Sequence, residues 1–330
     1  MLQQTQVSRV AERFPRFLTR FPTVRSLAAS SLDEVLSEWE GLGYYRRARL
    51  LHRAARTIVE RHGGRIPSEV SHLRDLPGIG PYTAGAVASI AFGRREAIVD
   101  GNVARVLIRL AGRPVAADDP EAVRRCWGEA RDLVQAATDP GTLNEAMMEL
   151  GATVCTPRAP SCEACPVAGD CRARRQGLEG RIPLPKDRAR RRRIVHHVLL
   201  LPPHHEGRRR LATVRRRPEE GLWASMWEFP TIESPRRLRI PTIAKRLGVR
   251  SEEVRPLDRF VHKTTHRDVE FVVLEVAAPP EPSGLGKVAR LTLERLGDLA
   301  MSVPQRRIAD GLAGRWSNAA SQRSSRCAGG

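Results

Sequence analysis

Apolar residues return every three or four positions through residues 7–17, 32–38, 48–61, 82–91, 103–110, 121–136 and 144–154, the spacing of helices with one buried face. Start signals fall where such helices should begin. Ser31 followed by Glu34 is a capping-box pattern, and Asp119-Pro120-Glu121 supplies a cap, a first-turn proline and an acidic first turn. Nothing before residue 185 alternates with period two over a useful length, so this half reads as all-α. From residue 194 the texture changes. Residues 194–201, 211–214, 227–229 and 269–276 read as strands, and 242–247 as a short helix. Between the halves lie Pro183-Leu184-Pro185 and a charged stretch from Arg188 to Arg193, the composition of a linker. The expected organisation is therefore a helical domain over 1–182, a basic linker over 183–193, a smaller α/β domain over 194–302, and a largely disordered tail over 303–330. The end of that tail is rich in Ser, Gly, Ala and Arg. No internal repeat is visible.

The length of 330 residues suits two domains that each bury a core. Basic residues outnumber acidic ones by 56 to 37, for a net charge of +19, which favours a polyanionic partner through counterion release from phosphates. Only four residues are lysine (Lys186, Lys245, Lys263 and Lys287), so the charge of the first 185 residues is carried by arginine. No apolar run approaches the roughly 20 residues that span a bilayer. Gln3, Gln4, Arg9, Glu12 and Arg13 interrupt the first 20 residues, which are not a secretory h-region. Neither a membrane protein nor a disulfide-stapled secreted domain is expected.

Three constellations carry chemistry. Cys155, Cys162, Cys165 and Cys171 are spaced C-x6-C-x2-C-x5-C. Four thiolates in so short a stretch point to metal ligation rather than disulfides. Zinc more often uses two separated pairs, whereas one compact loop also suits a cubane iron–sulfur cluster, and both fit the spacing. Arg158, Arg172, Arg174 and Arg175 would offer cations to phosphate beside it, while Cys126 and Cys327 read as bystanders. The second constellation is Leu76-Pro77-Gly78-Ile79-Gly80-Pro81-Tyr82-Thr83-Ala84-Gly85. Two glycines before a proline-started helix make a tight turn whose amides can cradle a phosphate, helped by the helix dipole. An ordinary helix–turn–helix corner would look the same from Gly-x-Gly alone. The third is Ile98-Val99-Asp100-Gly101-Asn102-Val103, where Asp100 is either a simple helix cap or a catalytic carboxylate.

Hairpin, Val-Asp-Gly-Asn-Val string and cysteine loop, in this order, resemble the endonuclease III superfamily of helix–hairpin–helix glycosylases. Further strings resemble its adenine DNA glycosylase (MutY) branch. These are Met1-Leu2-Gln3-Gln4-Thr5-Gln6-Val7, Gly41-Leu42-Gly43-Tyr44-Tyr45-Arg46-Arg47-Ala48-Arg49 and Asn144-Glu145-Ala146-Met147-Met148-Glu149-Leu150-Gly151. Gly221-Leu222-Trp223 and Trp227-Glu228-Phe229-Pro230 are similar to the MutT (Nudix)-like domain that this branch appends. The resemblance runs from residue 1 to about 300. It implies a multidomain fold, an all-α helix–hairpin–helix domain with a 4Fe–4S loop followed by a smaller α/β MutT-like domain. It implies a DNA-repair enzyme that flips adenine out of duplex DNA where it is mispaired with 8-oxoguanine or guanine, and hydrolyses its N-glycosidic bond. It also implies a monomer, with no membrane partner, working on the nucleoid in the cytoplasm.

Carried over residue by residue, Asp100 would stabilise or transiently bond the oxocarbenium ion, Asn102 would orient that carboxylate, and Tyr82 would line the site. Glu145 would hydrogen-bond the extruded adenine. Gln4, Thr5, Leu42 and Tyr44 would contact or wedge beside 8-oxoguanine, with Thr265 and His266 reading it from the second domain. Gly78 and Gly80 would present amides to the DNA backbone, and Cys155, Cys162, Cys165 and Cys171 would hold the cluster. The lyases of the superfamily use a lysine amine where this chain has Tyr82, and no lysine precedes residue 186. A monofunctional glycosylase is therefore expected over an endonuclease III-like lyase.

Two departures stand out. The branch's general acid is a glutamate two residues before the Met-Leu-Gln-Gln-Thr string, which here begins at Met1. Met1 is therefore expected to be an internal methionine, and the chain starting there to bind DNA with severely reduced or no excision, the alternative being a non-catalytic lesion-binding protein. The branch's Phe-Ser-His element reads Thr264-Thr265-His266, preceded by His262, which keeps a hydroxyl but loses the aromatic ring. No R-E-x-x-E-E run follows Pro230, so a pyrophosphate-cleaving Nudix hydrolase is a poor reading.

Overall fold

The computed structural model describes residues 1–185, 191–207, 209–278 and 287–327. Ten helices fill the first 185 residues: α1 Val7–Arg20, α2 Val24–Ala29, α3 Leu32–Glu38, α4 Arg46–His62, α5 Val70–Arg74, α6 Pro81–Ala86, α7 Gly101–Leu110, α8 Pro120–Ala136, α9 Pro140–Glu149 and α10 Arg172–Arg175. Two of them run on into single π-helical turns, Val87–Ala91 after α6 and Leu150–Val154 after α9. Every helix expected from periodicity is present. Those it did not show, α2, α5 and α10, have six residues or fewer, too short for a 3.6-residue pattern to register. The start signals act as read. Ser31 and Glu34 bond each other's backbone reciprocally, and the Asp119 carboxylate accepts from the amides of Glu121 and Ala122.

The second half, among the described residues, is built from eight strands: β1 Arg192–Leu200, β2 His204–Glu206, β3 Arg209–Arg216, β4 Trp227–Glu228, β5 Thr231–Ser234, β6 Val254–Lys263, β7 Arg267–Val276 and β8 Val288–Leu291. Three further helices are α11 Ile240–Leu247, α12 Leu293–Gly297 and α13 Val303–Cys327. One sheet runs β5-β1-β7-β6, with β1 and β7 parallel and the other pairs antiparallel. A second runs β2-β3-β4, with β8 also on β3. Both faces of β1 and β7 are covered. Val198, Leu200, Phe271 and Val273 pack with Met301, Ile308 and Leu312, while Val195, Leu199, Val272 and Leu274 pack with Ile243 and Leu247. Burial on both faces explains why these strands read as continuous apolar runs.

Residues 303–330 require a correction. The stretch read as a disordered tail opens with α13, and Ile308, Ala309 and Leu312 are buried in the sheet core. Its polar composition misled because only one helical stripe is apolar. Residues 186–190 of the expected linker and 328–330 of the expected tail lie outside the described residues, and nothing is described of the Cys327 side chain. The chain divides into two compact units, Met1–His52 with Arg190–Gly330, and Arg53–Ala189.

Candidate functional site

Within the unit formed by residues 53–189, α5 and α6 meet at the glycine turn. Gly78 has φ +82°, a left-handed conformation that only glycine takes without strain. Gly80 differs. Its φ is −89°, and a Cβ placed there would meet nothing within 4 Å, so the protein itself does not demand glycine at this position. Among the described residues the Gly78 and Gly80 amides donate to no backbone acceptor, and Pro81 opens α6. Gly85, in the same string, is required by packing, since its Cβ would lie 2.4 Å from the Ala97 carbonyl oxygen.

Asp100 is the N-cap of α7. Its Oδ1 accepts from the amides of Asn102 (2.9 Å) and Val103 (2.8 Å), which leaves Oδ2 outside the cap. The cap and catalytic readings are thus compatible. Asn102 is fixed twice. Its Oδ1 accepts from Arg105 Nη2 at 2.9 Å, and its backbone approaches Gly151 so closely that a Cβ on Gly151 would stand 2.7 Å from Asn102 Cβ. Tyr82 donates to Met148 Sδ at 2.9 Å, and burial and the nearby Asp100 carboxylate raise its phenol above the ordinary value. Glu145 is exposed, three residues before Met148 on α9 and so on the same helical face. Its neighbour Asn144 is buried, bonding Ser89 Oγ and the Glu96 carbonyl. Asp100, Tyr82 and, through Met148, the Glu145 face of α9 are brought together.

The π turn after α9 leads directly into Cys155. The four cysteines, with Arg109, Val154, Pro160, Ala168, Arg174 and Glu179 among their neighbours, line a small cavity of about 20 Å³. Arg109, 2% exposed, donates to Cys155 Sγ (3.3 Å) and to the carbonyls of Thr156, Pro157 and Ile182. A guanidinium there offsets the negative charge that cluster-bound thiolates bring. Cubane iron–sulfur chemistry asks for four thiolates around a cavity, each on its own iron, and these residues fit it. Cys126 is fully buried between α7 and α8, away from that loop.

In the unit formed by residues 1–52 and 190–330, Gln4, Thr5, Leu42 and Tyr44 line a cavity of about 370 Å³ together with Arg9, Tyr45, Trp223, His262 and Val303. Leu42 is only 4% exposed and contributes mostly to packing, whereas Tyr44 is 42% exposed. Arg47 organises this edge. It donates to Thr5 Oγ1 (2.7 Å) and to the carbonyls of Met1 and Gln3, and stacks over the Tyr44 and Trp39 rings. Tyr44 Oη and Thr265 Oγ1 are 2.6 Å apart. His266 is exposed, does not line the cavity, and uses its carbonyl to accept from the Arg192 amide. Thr264 closes the β6–β7 turn, exchanging hydrogen bonds with the Arg267 backbone.

Comparison with known proteins finds matches along most of the chain. Residues 1–130 match the HhH-GPD superfamily of base excision DNA repair proteins, residues 155–171 the iron–sulfur binding domain of endonuclease III, and residues 205–311 the NUDIX domain. The human adenine DNA glycosylase is 50% identical over 179 residues, 53% of this chain and 32% of that protein. The adenine DNA glycosylase of Buchnera aphidicola subsp. Acyrthosiphon pisum is 30% identical over 269 residues, covering 81% of this chain and 74% of the relative. The chain belongs to the adenine DNA glycosylase family. It spans about a third of the length of its mammalian relatives, 32% of the human and 35% of the rat protein. A solved thermostable thymine-DNA glycosylase is similar over 53% of this chain and 80% of its own, at 27% identity and a TM-score of 0.48. The four-cysteine loop, matched to the iron–sulfur binding domain of endonuclease III, carries a 4Fe–4S cluster.

Several residues around these clusters were not singled out from sequence. Arg105 and Arg109 sit inside an apolar helical pattern and Arg47 just before one, where arginine normally signals a solvated face. Trp223 lines the cavity at φ +53°, and Gln4 (φ +57°) and Tyr44 (φ +48°) are also left-handed. Three of the four non-glycine residues with positive φ among those described thus border one cavity, the clustering expected where function tolerates strain. No local sequence signal marks such a conformation outside glycine and asparagine.

Proposed function

We propose that the chain carries the adenine-excising site of a monofunctional base excision repair glycosylase, one that acts on duplex DNA where adenine lies opposite 8-oxoguanine or guanine. The observation that carries this reading is Asp100, a carboxylate with one oxygen bound by helix amides and the other outside the cap, beside Tyr82 rather than an amine. Breaking the N-glycosidic bond leaves positive charge on the sugar, and a carboxylate fixed before charge develops stabilises it without reorganising. Asn102, held by Arg105 and Gly151, keeps the first turn of α7 rigid. Glu145, exposed on the Met148 face of α9, hydrogen-bonds the extruded base. The hairpin amides of Gly78 and Gly80, at a helix N-terminus, bind a backbone phosphate.

Across the other unit, Gln4, Thr5, Tyr44 and Thr265 supply polar groups and one ring to the base opposite adenine. Cys155, Cys162, Cys165 and Cys171 are the cluster ligands. The test is single-turnover adenine release from duplexes carrying adenine opposite 8-oxoguanine, guanine or thymine, together with binding to each. Preference for the 8-oxoguanine duplex, with strand scission only after alkali, is expected. Scission without alkali overturns the monofunctional assignment, and equal binding to all three duplexes overturns the substrate.

A further inference from the structure

Residues 41–44 form a loop whose shape is not self-sustaining. Gly41 (φ +88°), Gly43 (φ +71°) and Tyr44 (φ +48°) are all left-handed, and Tyr44 carries a side chain that disfavours it. The loop is held by neighbours. Trp39 Nε1 donates to the Gly43 carbonyl at 3.0 Å, and the Gly41 amide donates to Tyr45 Oη at 3.4 Å. A further anchor comes from the far end of the chain. Glu40, immediately before the loop, receives Arg306 Nε at 2.9 Å on one carboxylate oxygen and Arg306 Nη2 at 3.0 Å on the other. This is a bidentate pair between two side chains only about one-fifth exposed.

Arg306 lies in the first turn of α13, and its guanidinium also donates to the carbonyls of Leu296 and Leu299, each at 2.6 Å, at the end of α12. Arg306 is thus locked on the sheet-domain side before it meets Glu40. Residues 1–52 are also joined to the sheet domain by Arg216 to Asp33 at 2.7 Å and by Arg49 to the Ala224 carbonyl at 2.5 Å. Neither of these adjoins the loop that carries Tyr44. Glu40–Arg306 fixes the residue from which that loop departs.

We propose that Arg306 is a positioning residue for lesion recognition: by clamping Glu40 it sets the 41–44 loop so that Tyr44 meets Thr265. The clamp touches no DNA. This rests on the reading of Tyr44 and Thr265 as contacts to the base opposite adenine. Loss of the clamp frees the loop to relax, and the alignment of the two hydroxyls loosens with it.

The experiment is a double-mutant cycle with Glu40→Ala, Arg306→Ala and the pair, in the full chain. It reads the ratio of affinities for 8-oxoguanine and guanine duplexes opposite adenine, with an undamaged duplex as reference. Each single substitution is expected to lower the ratio about fivefold, the scale of one hydrogen bond, and the pair no further. Affinity for the undamaged duplex stays unchanged. Because Arg306 also secures α12, Glu40→Ala is the decisive variant, since it removes the clamp alone. A parent chain with a clear preference that Glu40→Ala leaves intact overturns the clamp, as do additive effects of the two substitutions. A parent chain with no preference overturns the underlying reading, and the clamp with it.

Discussion

Tyr44, which lines the cavity beside Gln4 and Thr5, and Thr265, which does not, hold their hydroxyls 2.6 Å apart across 221 positions of sequence. Tyr44 gains further support from Arg47, whose guanidinium lies 5.3 Å from its ring centroid. Tyr44→Phe keeps the ring and this stacking and removes only the hydroxyl. It should reduce the preference for 8-oxoguanine over guanine opposite adenine by about three- to tenfold. Thr265→Ser, which keeps the hydroxyl, should preserve it. Titration of the two duplexes at one salt concentration measures both, and an unchanged preference in Tyr44→Phe would remove this pair from recognition.

Asp100 combines two duties that a substitution can separate. Asparagine caps helices about as well as aspartate, so Asp100→Asn should leave the melting temperature within about 2 °C of the parent. The charge is lost, and adenine release should fall by at least about 10²-fold. DNA affinity should persist. A variant that melts early would show instead that the carboxylate is needed for the fold.

Much of this architecture is legible from residue order alone. The helices of the first half announce themselves because each buries one stripe, and β1 and β7 because both their faces are covered. Strand β6 does not, since it is the sheet edge and its residues between 255 and 259 are exposed, leaving no alternation to read. Helix α13 is hidden for a related reason, its core residues Ile308 and Leu312 being diluted by arginine and glycine. In the site, motif residues such as Asp100, Tyr82 and the four cysteines are visible because their chemistry depends on spacing. Arg47, Arg105, Arg109 and Arg306 are not, because their roles arise from tertiary neighbours. Thr264 shows the limit from the other side. Read as a lost aromatic ring, it proves to close the β6–β7 turn with its hydroxyl, so Thr264→Phe should destabilise that hairpin rather than restore stacking.

Three glycines of the unit formed by residues 53–189 should answer differently to alanine. At Gly85 the new methyl would stand 2.4 Å from the Ala97 carbonyl oxygen, and at Gly151 2.7 Å from Asn102 Cβ. Both should destabilise by about 1–3 kcal/mol, the cost of overpacking, and Gly151→Ala should also slow adenine release by displacing Asn102. At Gly80 the methyl meets nothing within 4 Å and φ is ordinary. Stability should drop by less than about 1 kcal/mol, the loss of a glycine N-cap, while DNA affinity falls because the methyl occupies the approach to the hairpin amides. Thermal melts and duplex titrations on the same three variants distinguish fold-required from partner-required glycine.

Glu270 gives the sheet domain an acid-sensitive support. Its side chain is 1% exposed on β7 and receives Arg193 (2.7 Å), Arg237 (2.5 Å) and Arg259 (2.5 Å). Burial alone would raise its pKa, but hydrogen bonds from the three guanidiniums outweigh it and bring the value down to about 2, from 4.5 for a free glutamate. A carboxyl whose pKa is lower in the folded state binds protons more readily when unfolded. The stability it contributes is therefore complete above about pH 4.5 and is lost as pH falls toward 2. The three arginines are about half exposed, so solvent screening limits the contribution to roughly 1–2 kcal/mol. The parent chain should thus lose melting temperature steeply below pH 4.5. Glu270→Gln leaves three cations sharing a neutral acceptor, and should melt lower at pH 7 yet show a shallower decline between pH 4.5 and 3. Melting curves across that window decide the matter: parallel slopes for parent and variant would place the acid sensitivity elsewhere.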